Sequence, residues 1–509
     1  MMKKQYHQNK SAKRQKNASK PINEGSNEEV LLVDVKALLS KSKTEASPLH
    51  SEENSDAKPT AQSFYAPPEK FSEVEVTISE LSSTGDGLGL SSTLDHVYVV
   101  PFAIPGDKVK AKVVNHFPQA NYTLTDFVDV VQPAPQRDDS LVKCQYFSKC
   151  AGCQIQMLPY ELQLQHKKTI VEKAYRNFSA LTPEVVPAVG ETIGSPLQYG
   201  YRTKLTPHFD GPPGSMRRAA RRDPSLRKGF ESVPLIGFNE KGTRKTIDIE
   251  DCPIGTDAVR EGLKRERKKV AEDIAKYTKG ATILLRESTS RRPRLHKDRG
   301  QATLPGLQNE DANPVKTEVV STNQQDRKSD QTKDAPFTDT HADPSSYIDE
   351  KTCITDQRAI STEYIDNYAL KNTAGAFFQN NNSILSTFTA YIRANIKPPQ
   401  SPQNDKNPPI DHLIDAYCGS GLFTITLSSL FKSSLGIDIA GASILSAKEN
   451  ATANNLSNAT FMTADASQLF QHVTFPPENT VVVIDPPRKG CDDPFLQQLL
   501  RFGPQRVVY

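Results

Sequence analysis

Two groups of residues in this chain have the types and spacing to do chemistry. Cys144, Cys150 and Cys153 form a C-x5-C-x2-C run, and Cys252, followed by Pro253, supplies a fourth thiol. Four thiolates at uneven spacing, with Pro after the last, suit a [4Fe–4S] cluster. They also suit a tetrahedral zinc ion, or no metal. The second group lies far downstream. Asp415-Ala-Tyr-Cys-Gly-Ser-Gly421 places two glycines where an apolar run turns into a helical pattern. Glycine lets backbone N–H groups approach a ligand that a Cβ would hold off. A G-x-G turn alone is a weak signal. Three acids strengthen it, each closing an apolar run: Asp438 after Leu435-Gly-Ile, Asp465 after Phe461-Met-Thr-Ala, and Asp485 after Thr480-Val-Val-Val-Ile. An acid about 20 residues beyond such glycines can accept from ribose hydroxyls.

These acids need elements that bring them together. Leu413 to Ala416 and the three acid-ended runs read as strands, and helical patterns over Leu422–Leu430, Ser443–Asn454 and Asp493–Phe502 alternate with them. That alternation predicts a parallel sheet with its ligand at the strands' carboxyl ends. Upstream, short alternating runs at Val74–Ile78, His96–Pro101, Asp107–Val114 and Thr123–Val131, with a glycine turn at Gly85–Gly89, predict a small barrel of OB type. Lys108, Lys110 and Lys112 share one face of it, either solvated or tracking a phosphate backbone. Tyr160 to Arg176 reads as a helix. Arg217–Arg222 with Arg227 and Lys228, and Arg291, Arg292 and Arg294, are basic clusters that suit RNA contact or are solvated loops.

Length and composition set the bounds. A chain of 509 residues predicts two to four domains. The net charge of +3 is small but unevenly spread: Met1 to Lys20 carries seven Lys/Arg and no acid. That stretch lacks an apolar core, so it is no secretory signal. No apolar run nears the ~18 residues of a membrane span. Seven cysteines without a secretory signal do not make a disulfide scaffold. The expected compartment is cytoplasmic or nuclear, and no protein partner is expected. Cys418 is expected to pack inside the glycine loop, and Cys353 has no pattern around it.

The combination Gly375-Ala-Phe-Phe-Gln-Asn380, Asp415 to Gly421, Gly436-Ile-Asp438, Ala464-Asp-Ala466 and Ile484-Asp-Pro-Pro-Arg-Lys-Gly490 resembles one family closely, the S-adenosylmethionine-dependent RNA uracil-5-methyltransferases. The resemblance covers about 65–295 and 345–509. It implies an α/β, Rossmann-like methyltransferase domain, preceded by an OB-like TRAM β-barrel and a central α+β RNA-binding region. It implies that Gln379 contacts the methionine end of S-adenosylmethionine; the alternative is that Gln379 simply caps a helix starting near Ser383. It implies that Tyr417 lies beside the cofactor, Asp438 on the ribose, Asp465 near the adenine, and Asp485 between cofactor and target base. Tyr199 to Leu205 resembles a family stretch lining the RNA cleft. The four-cysteine spacing resembles that of the rRNA-modifying members, where it binds iron–sulfur.

The expected organisation is therefore a disordered basic tail and linker (1–66), within which Glu28–Lys41 has the spacing of a short helix or docking segment. The barrel follows (67–133), then the central domain with the iron–sulfur cysteines (134–296), a disordered insertion (297–346) and the methyltransferase domain (347–509). The insertion and basic tail look eukaryotic and shift the expected RNA to tRNA, with rRNA as the alternative. A non-catalytic RNA-binding protein and an amino-group methyltransferase using Asp485-Pro-Pro are the competing readings. In the latter an aromatic should follow the prolines, and Arg488 stands there. The family's nucleophilic thiol lies in a Ser-Cys-Asn-Pro stretch after the fifth strand, and its base is a Glu near the C-terminus. Neither stretch occurs in these residues, so the resemblance puts both beyond Tyr509 and the domain reads as incomplete there. Cys491 is not expected to replace the thiol, because three residues separate it from Pro487.

Overall fold

The computed structural model describes residues 22–45, 66–212, 229–294, 346–397 and 408–509. The basic stretch Met1–Lys20, the polar stretch His50–Ser63, the basic loop over 217–228 and all but the last residue of the insertion 297–346 lie outside them.

The barrel is built from β1 (Glu73–Thr77), β2 (Glu80–Leu81), β3 (Gly87–Leu90), β4 (Val97–Val100), β5 (Lys108–Phe117) and β6 (Tyr122–Gln132). They pair in the order β1-β5-β6-β4-β3-β2. The expected glycine turn is in part a strand: Gly87–Leu90 pairs with both β2 and β4. Gly89 makes this possible, since a Cβ there would run into Val76 of β1. All of β4 is buried, for two reasons. Tyr98 and Val100 enter the barrel core, while Val97 and Val99 point the other way, onto a helix.

That helix is α1 (Asn27–Glu45), the short helix or docking segment expected over Glu28–Lys41 within the tail, longer by one residue at its start and four at its end. Its Val35, Leu38 and Leu39 cover Leu88, Val97, Val99 and Tyr122. Its buried Asp34 accepts from the Ser83 amide at 2.5 Å and lies 3.8 Å from Lys173 Nζ in α2 (Tyr160–Phe178). A buried lysine and a buried aspartate are tolerated together because each neutralises the other. The pair ties α1, the barrel and the central region to one another. The barrel's lysine face is not bare: Lys108 and Lys110 reach Glu75 (2.7 Å) and Glu73 (3.7 Å), and Lys112 sits over Phe71. Such exposed pairs are worth only ~0–1 kcal/mol each.

The central region contains β7 (Lys204–Leu205), β8 (His208–Phe209), β9 (Gly237–Asn239), β10 (Thr246–Asp248), α3 (Asp257–Glu272), β11 (Ala281–Thr282) and β12 (Leu285–Pro293). They form two small sheets around one apolar cluster that includes Leu205, Phe209, Val259, Leu263 and Leu285. The boundary expected at 347 falls inside this region. β13 (Tyr347–Ile354) pairs with β12 along its whole length, so the insertion joins two antiparallel neighbours. The hairpin of β14 (Ile360–Ile365) and β15 (Tyr368–Thr373) follows.

After α4 (Leu385–Asn395) comes the sheet read from the sequence: β16 (His412–Ala416), β17 (Ser433–Asp438), β18 (Ala459–Thr463), β19 (Thr480–Ile484) and β20 (Arg506–Val508). All its pairs are parallel, in the order β18-β17-β16-β19-β20. Three of the four crossovers are α5 (Leu422–Leu427), α6 (Gly441–Ala453) and α7 (Asp493–Phe502), and the one from β18 to β19 runs through the 3-10 helix Ala466–His472. Apolar clusters cover both faces: Leu413, Val481 and Val483 point into one, Ile414, Val482 and Ile484 into the other. Burial on both sides is why these strands are continuous apolar runs rather than alternating ones. The strand order reverses between β16 and β19, and a crevice opens there at the carboxyl ends.

Candidate active site

The glycine turn leaves β16 with three left-handed residues, Tyr417 (φ 63°), Gly419 (φ 55°) and Gly421 (φ 95°). Asp415 holds it shut. Fully buried, its Oδ2 accepts from the Thr424 amide (2.8 Å) and hydroxyl (2.6 Å), tying β16 to the start of α5. Its Oδ1 is buried without a partner. Asp438, at the end of β17, takes the Gly419 amide on Oδ2 (3.0 Å) and the Ala440 amide on Oδ1 (2.7 Å). The acid is thus oriented by the turn it faces, and each oxygen keeps a lone pair for a ligand.

Tyr417, Asp438 and Asp465 line a single cavity of about 250 Å³, with Ile437, Ile439, Leu469, Pro487, Lys489 and Asp492. Its apolar members suit a planar base, its acids hydroxyl groups. The Tyr417 ring packs on Phe495 at 5.3 Å, and burial pushes its hydroxyl up, Cys491 and nearby acids adding to this. Gln379 and Asp485 are not in that cavity. They meet beside it, Gln379 Nε2 donating to Asp485 Oδ2 at 3.4 Å across 106 residues of chain. Gln379 caps no helix: the 3-10 turn ahead of α4 starts at Asn382, after Asn381. Burial raises the Asp485 carboxyl. The turn before α1 also reaches this rim, since a Cβ on Gly25 would lie 3.9 Å from the Lys489 carbonyl oxygen. Cys418 is buried behind the glycine turn, as expected, and Cys491 packs among the apolar residues around Phe495.

Sequence reasoning passed over Asp415, Ile439 and Lys489. Ile439 carried a signal, a large apolar residue directly after a strand-end acid, and it stands 67% exposed on the cavity wall. Asp415 has a consequence for stability. Burial pushes its carboxyl up to about 7, with Asp485 and Asp438 adding to the rise and Thr424 opposing it. A carboxyl whose folded pKa is raised binds its proton more tightly folded than unfolded. Its contribution to stability is complete below the ordinary carboxylate pKa and is lost as pH rises through about 7. The expected result is a melting temperature that falls between pH 5 and pH 8, with a smaller fall in Asp415→Asn, followed by circular dichroism across that range.

The four motif cysteines line a second cavity, of about 260 Å³, between the segment after the barrel and the Cys252 loop. Burial raises all four thiols, and Cys252 is pushed up to about 12, with the neighbouring thiols adding to the rise. The Gly152 amide donates to Cys150 Sγ at 3.4 Å. Gln156 Nε2 is buried with no hydrogen-bond partner and leans towards the Cys153 thiol. Among the described residues no three His, Cys, Asp or Glu side chains are grouped so as to hold one metal ion. Nor is any helix there long and apolar enough to cross a membrane.

The chain matches the family model described as tRNA (Uracil-5-)-methyltransferase over residues 357–509, and the TRAM domain model over residues 67–116. It is 39% identical over 508 residues to the tRNA (uracil(54)-C(5))-methyltransferase of Schizosaccharomyces pombe, covering 98% of this chain and 78% of that one. The chain belongs to the tRNA (uracil-5-)-methyltransferase family. The Saccharomyces cerevisiae member with the same description is 37% identical over 454 residues, and the match covers 85% of this chain and 65% of the relative. A solved structure of Pyrococcus abyssi tRNA (uracil-54, C5)-methyltransferase, in complex with S-adenosyl-L-homocysteine, superimposes with a TM-score of 0.51 at 20% identity. The superposition covers 85% of this chain and 89% of that one. At that identity the likeness shows the shared fold.

Proposed function

We propose that this chain binds S-adenosylmethionine at the carboxyl ends of β16 to β19 and serves methyl transfer to C5 of a uridine in tRNA. One observation carries the proposal. At the reversal of strand order, Tyr417 of the glycine turn, two strand-end acids and an apolar wall line one cavity, and the Gln379–Asp485 contact lies outside it. In this reading Asp438 holds the ribose hydroxyls, Asp465 and Ile439 flank the adenine, and Tyr417 backs the nucleoside. Gln379 and Asp485 meet the methionine end, where the sulfonium methyl faces the uracil.

The chemistry sets a further requirement. C5 of uracil is a poor nucleophile. A thiolate adding to C6 turns the ring into an enolate whose C5 attacks the methyl group, and a base then removes the C5 proton so that the thiol leaves. The target uridine must leave its stack to reach the site. None of the seven cysteines suits the role: four line the cysteine cavity, Cys353 and Cys491 pack against apolar clusters, and Cys418 is buried. We assign no nucleophile within these residues. The test uses the full-length protein, S-adenosylmethionine with a labelled methyl group and unmodified tRNA. Label recovered as 5-methyluridine is expected. Label in another nucleoside, or none, contradicts the reading.

The cysteine cavity is assigned to a [4Fe–4S] cluster held by Cys144, Cys150, Cys153 and Cys252. The donor set suits it: four thiols line one cavity, the Gly152 amide already donates to sulfur, and the buried Gln156 amide would gain a sulfur acceptor. Hydrogen bonds to cluster sulfurs of this kind are general in iron–sulfur sites. The cluster would pin the Cys252 loop to the segment after the barrel, a structural role. Protein purified without oxygen is expected to be brown with about four irons, and Cys252→Ser to lose both colour and iron. Colourless protein with one zinc would overturn the assignment.

A further inference from the structure

We infer that a buried ion pair between Arg286 and Glu363 positions the cofactor-reading segment 378–382, so that Gln379 is aimed from the RNA-binding region rather than from the methyltransferase sheet. The inference rests on the proposed S-adenosylmethionine site.

Arg286 lies on β12, is 1% exposed, and belongs to the three-stranded sheet of the central region. A fully buried guanidinium costs several kcal/mol to desolvate, so it persists only with good partners. Its two terminal nitrogens have them, on opposite sides, while Nε is buried without a partner. One nitrogen donates to Glu363, itself 2% exposed, on β14. The other donates to Asn380 Oδ1 at 3.3 Å, and the guanidinium lies 5.8 Å from the Phe378 ring. Glu363 completes the clamp by accepting from Asn382 Nδ2 at 3.1 Å through its second oxygen. The pair therefore grips the segment at Phe378, Asn380 and Asn382, the residues whose side chains turn inward. Gln379, between them, is left to reach Asp485.

The segment and the residues just before it are also held from the same side. The Thr203 amide donates to the Asn380 carbonyl at 2.9 Å, and Asn381 Nδ2 donates to Ser195 Oγ at 3.0 Å. Lys204 Nζ donates to the carbonyls of Gly375 and Ala376. Every one of these anchors lies before the insertion except Glu363. Beyond their own contact, the hydrogen bonds that Arg286 and Glu363 make go to Asn380 and Asn382, on either side of Gln379. Arg286 and Glu363 are positioning residues: both are buried, and their effect runs through Gln379.

The test separates positioning from stability. Arg286→Met alone leaves Glu363 buried and unpaired, and the protein is expected to be strongly destabilised. Arg286→Met with Glu363→Gln removes both charges, and is expected to restore much of the melting temperature without the clamp. Binding of S-adenosylmethionine, measured by calorimetry, should remain at least tenfold weaker in the double variant. Asn380→Ala with Asn382→Ala, which leaves the ion pair in place, should weaken binding by a similar factor with a smaller change in melting temperature. Parent-like affinity in the asparagine variant would overturn the inference even where the double variant fails to fold. No binding by the parent chain would instead overturn the cofactor site itself.

Discussion

Asp438→Ala is expected to weaken S-adenosylmethionine binding at least tenfold, with the fold retained. Hydrogen bonds to a charged group are worth about 1.5–3 kcal/mol each, and two ribose hydroxyls would each donate to this carboxylate. Their joint loss corresponds to roughly a hundredfold or more. Part of that is offset because water replaces the carboxylate at this half-buried position. Two backbone amides also lose an acceptor, Gly419 at 3.0 Å and Ala440 at 2.7 Å, so the glycine turn loosens against β17. Asp438→Asn separates the two effects, since it keeps an acceptor but not the charge. Calorimetric titration of both variants reads the difference, and parent-like affinity in Asp438→Ala would remove the residue from the site.

The second large effect is expected at Gly421. Its φ of 95° lies where L residues rarely go, and a Cβ there would stand 3.0 Å from Ile425 and 3.3 Å from Ala447 and Phe461. Gly421→Val combines two costs. Left-handed backbone costs about 1–2 kcal/mol for a residue with a Cβ, and overpacking a filled core costs about 1–3 kcal/mol. Together, about 2–5 kcal/mol is a large part of the ~5–15 kcal/mol of a domain. Gly421→Ala carries the same backbone cost with less bulk. A melting temperature within a degree or two of the parent for Gly421→Val would show that the turn relaxes elsewhere and that its conformation is not set by α5 and α6.

The parallel sheet and the acids at its strand ends were legible because each strand is a short apolar run with its acid at a fixed place. Local pattern put Asp438 and Asp465 at strand ends, while the place of Tyr417 beside them came from the family resemblance. The pairing of Gln379 with Asp485 was not legible, since it depends on the segment 378–382 being folded against β12 and β14. Arg286 reads in sequence as one more basic residue near Arg291, and only burial distinguishes it. β13 was assigned to the wrong domain because its partner β12 lies across the insertion, a register no local pattern carries. α1 was partly legible as a helical stripe, but what it covers follows from the double-sided burial of β4. The cysteine spacing suggested that Cys144, Cys150, Cys153 and Cys252 belong together, and the structure lines one cavity with them; the buried Gln156 amide beside that cavity carried no signal in the sequence.

A crystal structure of this chain grown with S-adenosylhomocysteine tests the central claim most directly. The account predicts one molecule at the carboxyl ends of β16 to β19. Its ribose hydroxyls should lie within hydrogen-bond distance of Asp438, its adenine between Ile439 and Asp465, and its sulfur towards Gln379 and Asp485. A ligand bound elsewhere, or in this crevice with its ribose away from Asp438, would contradict it.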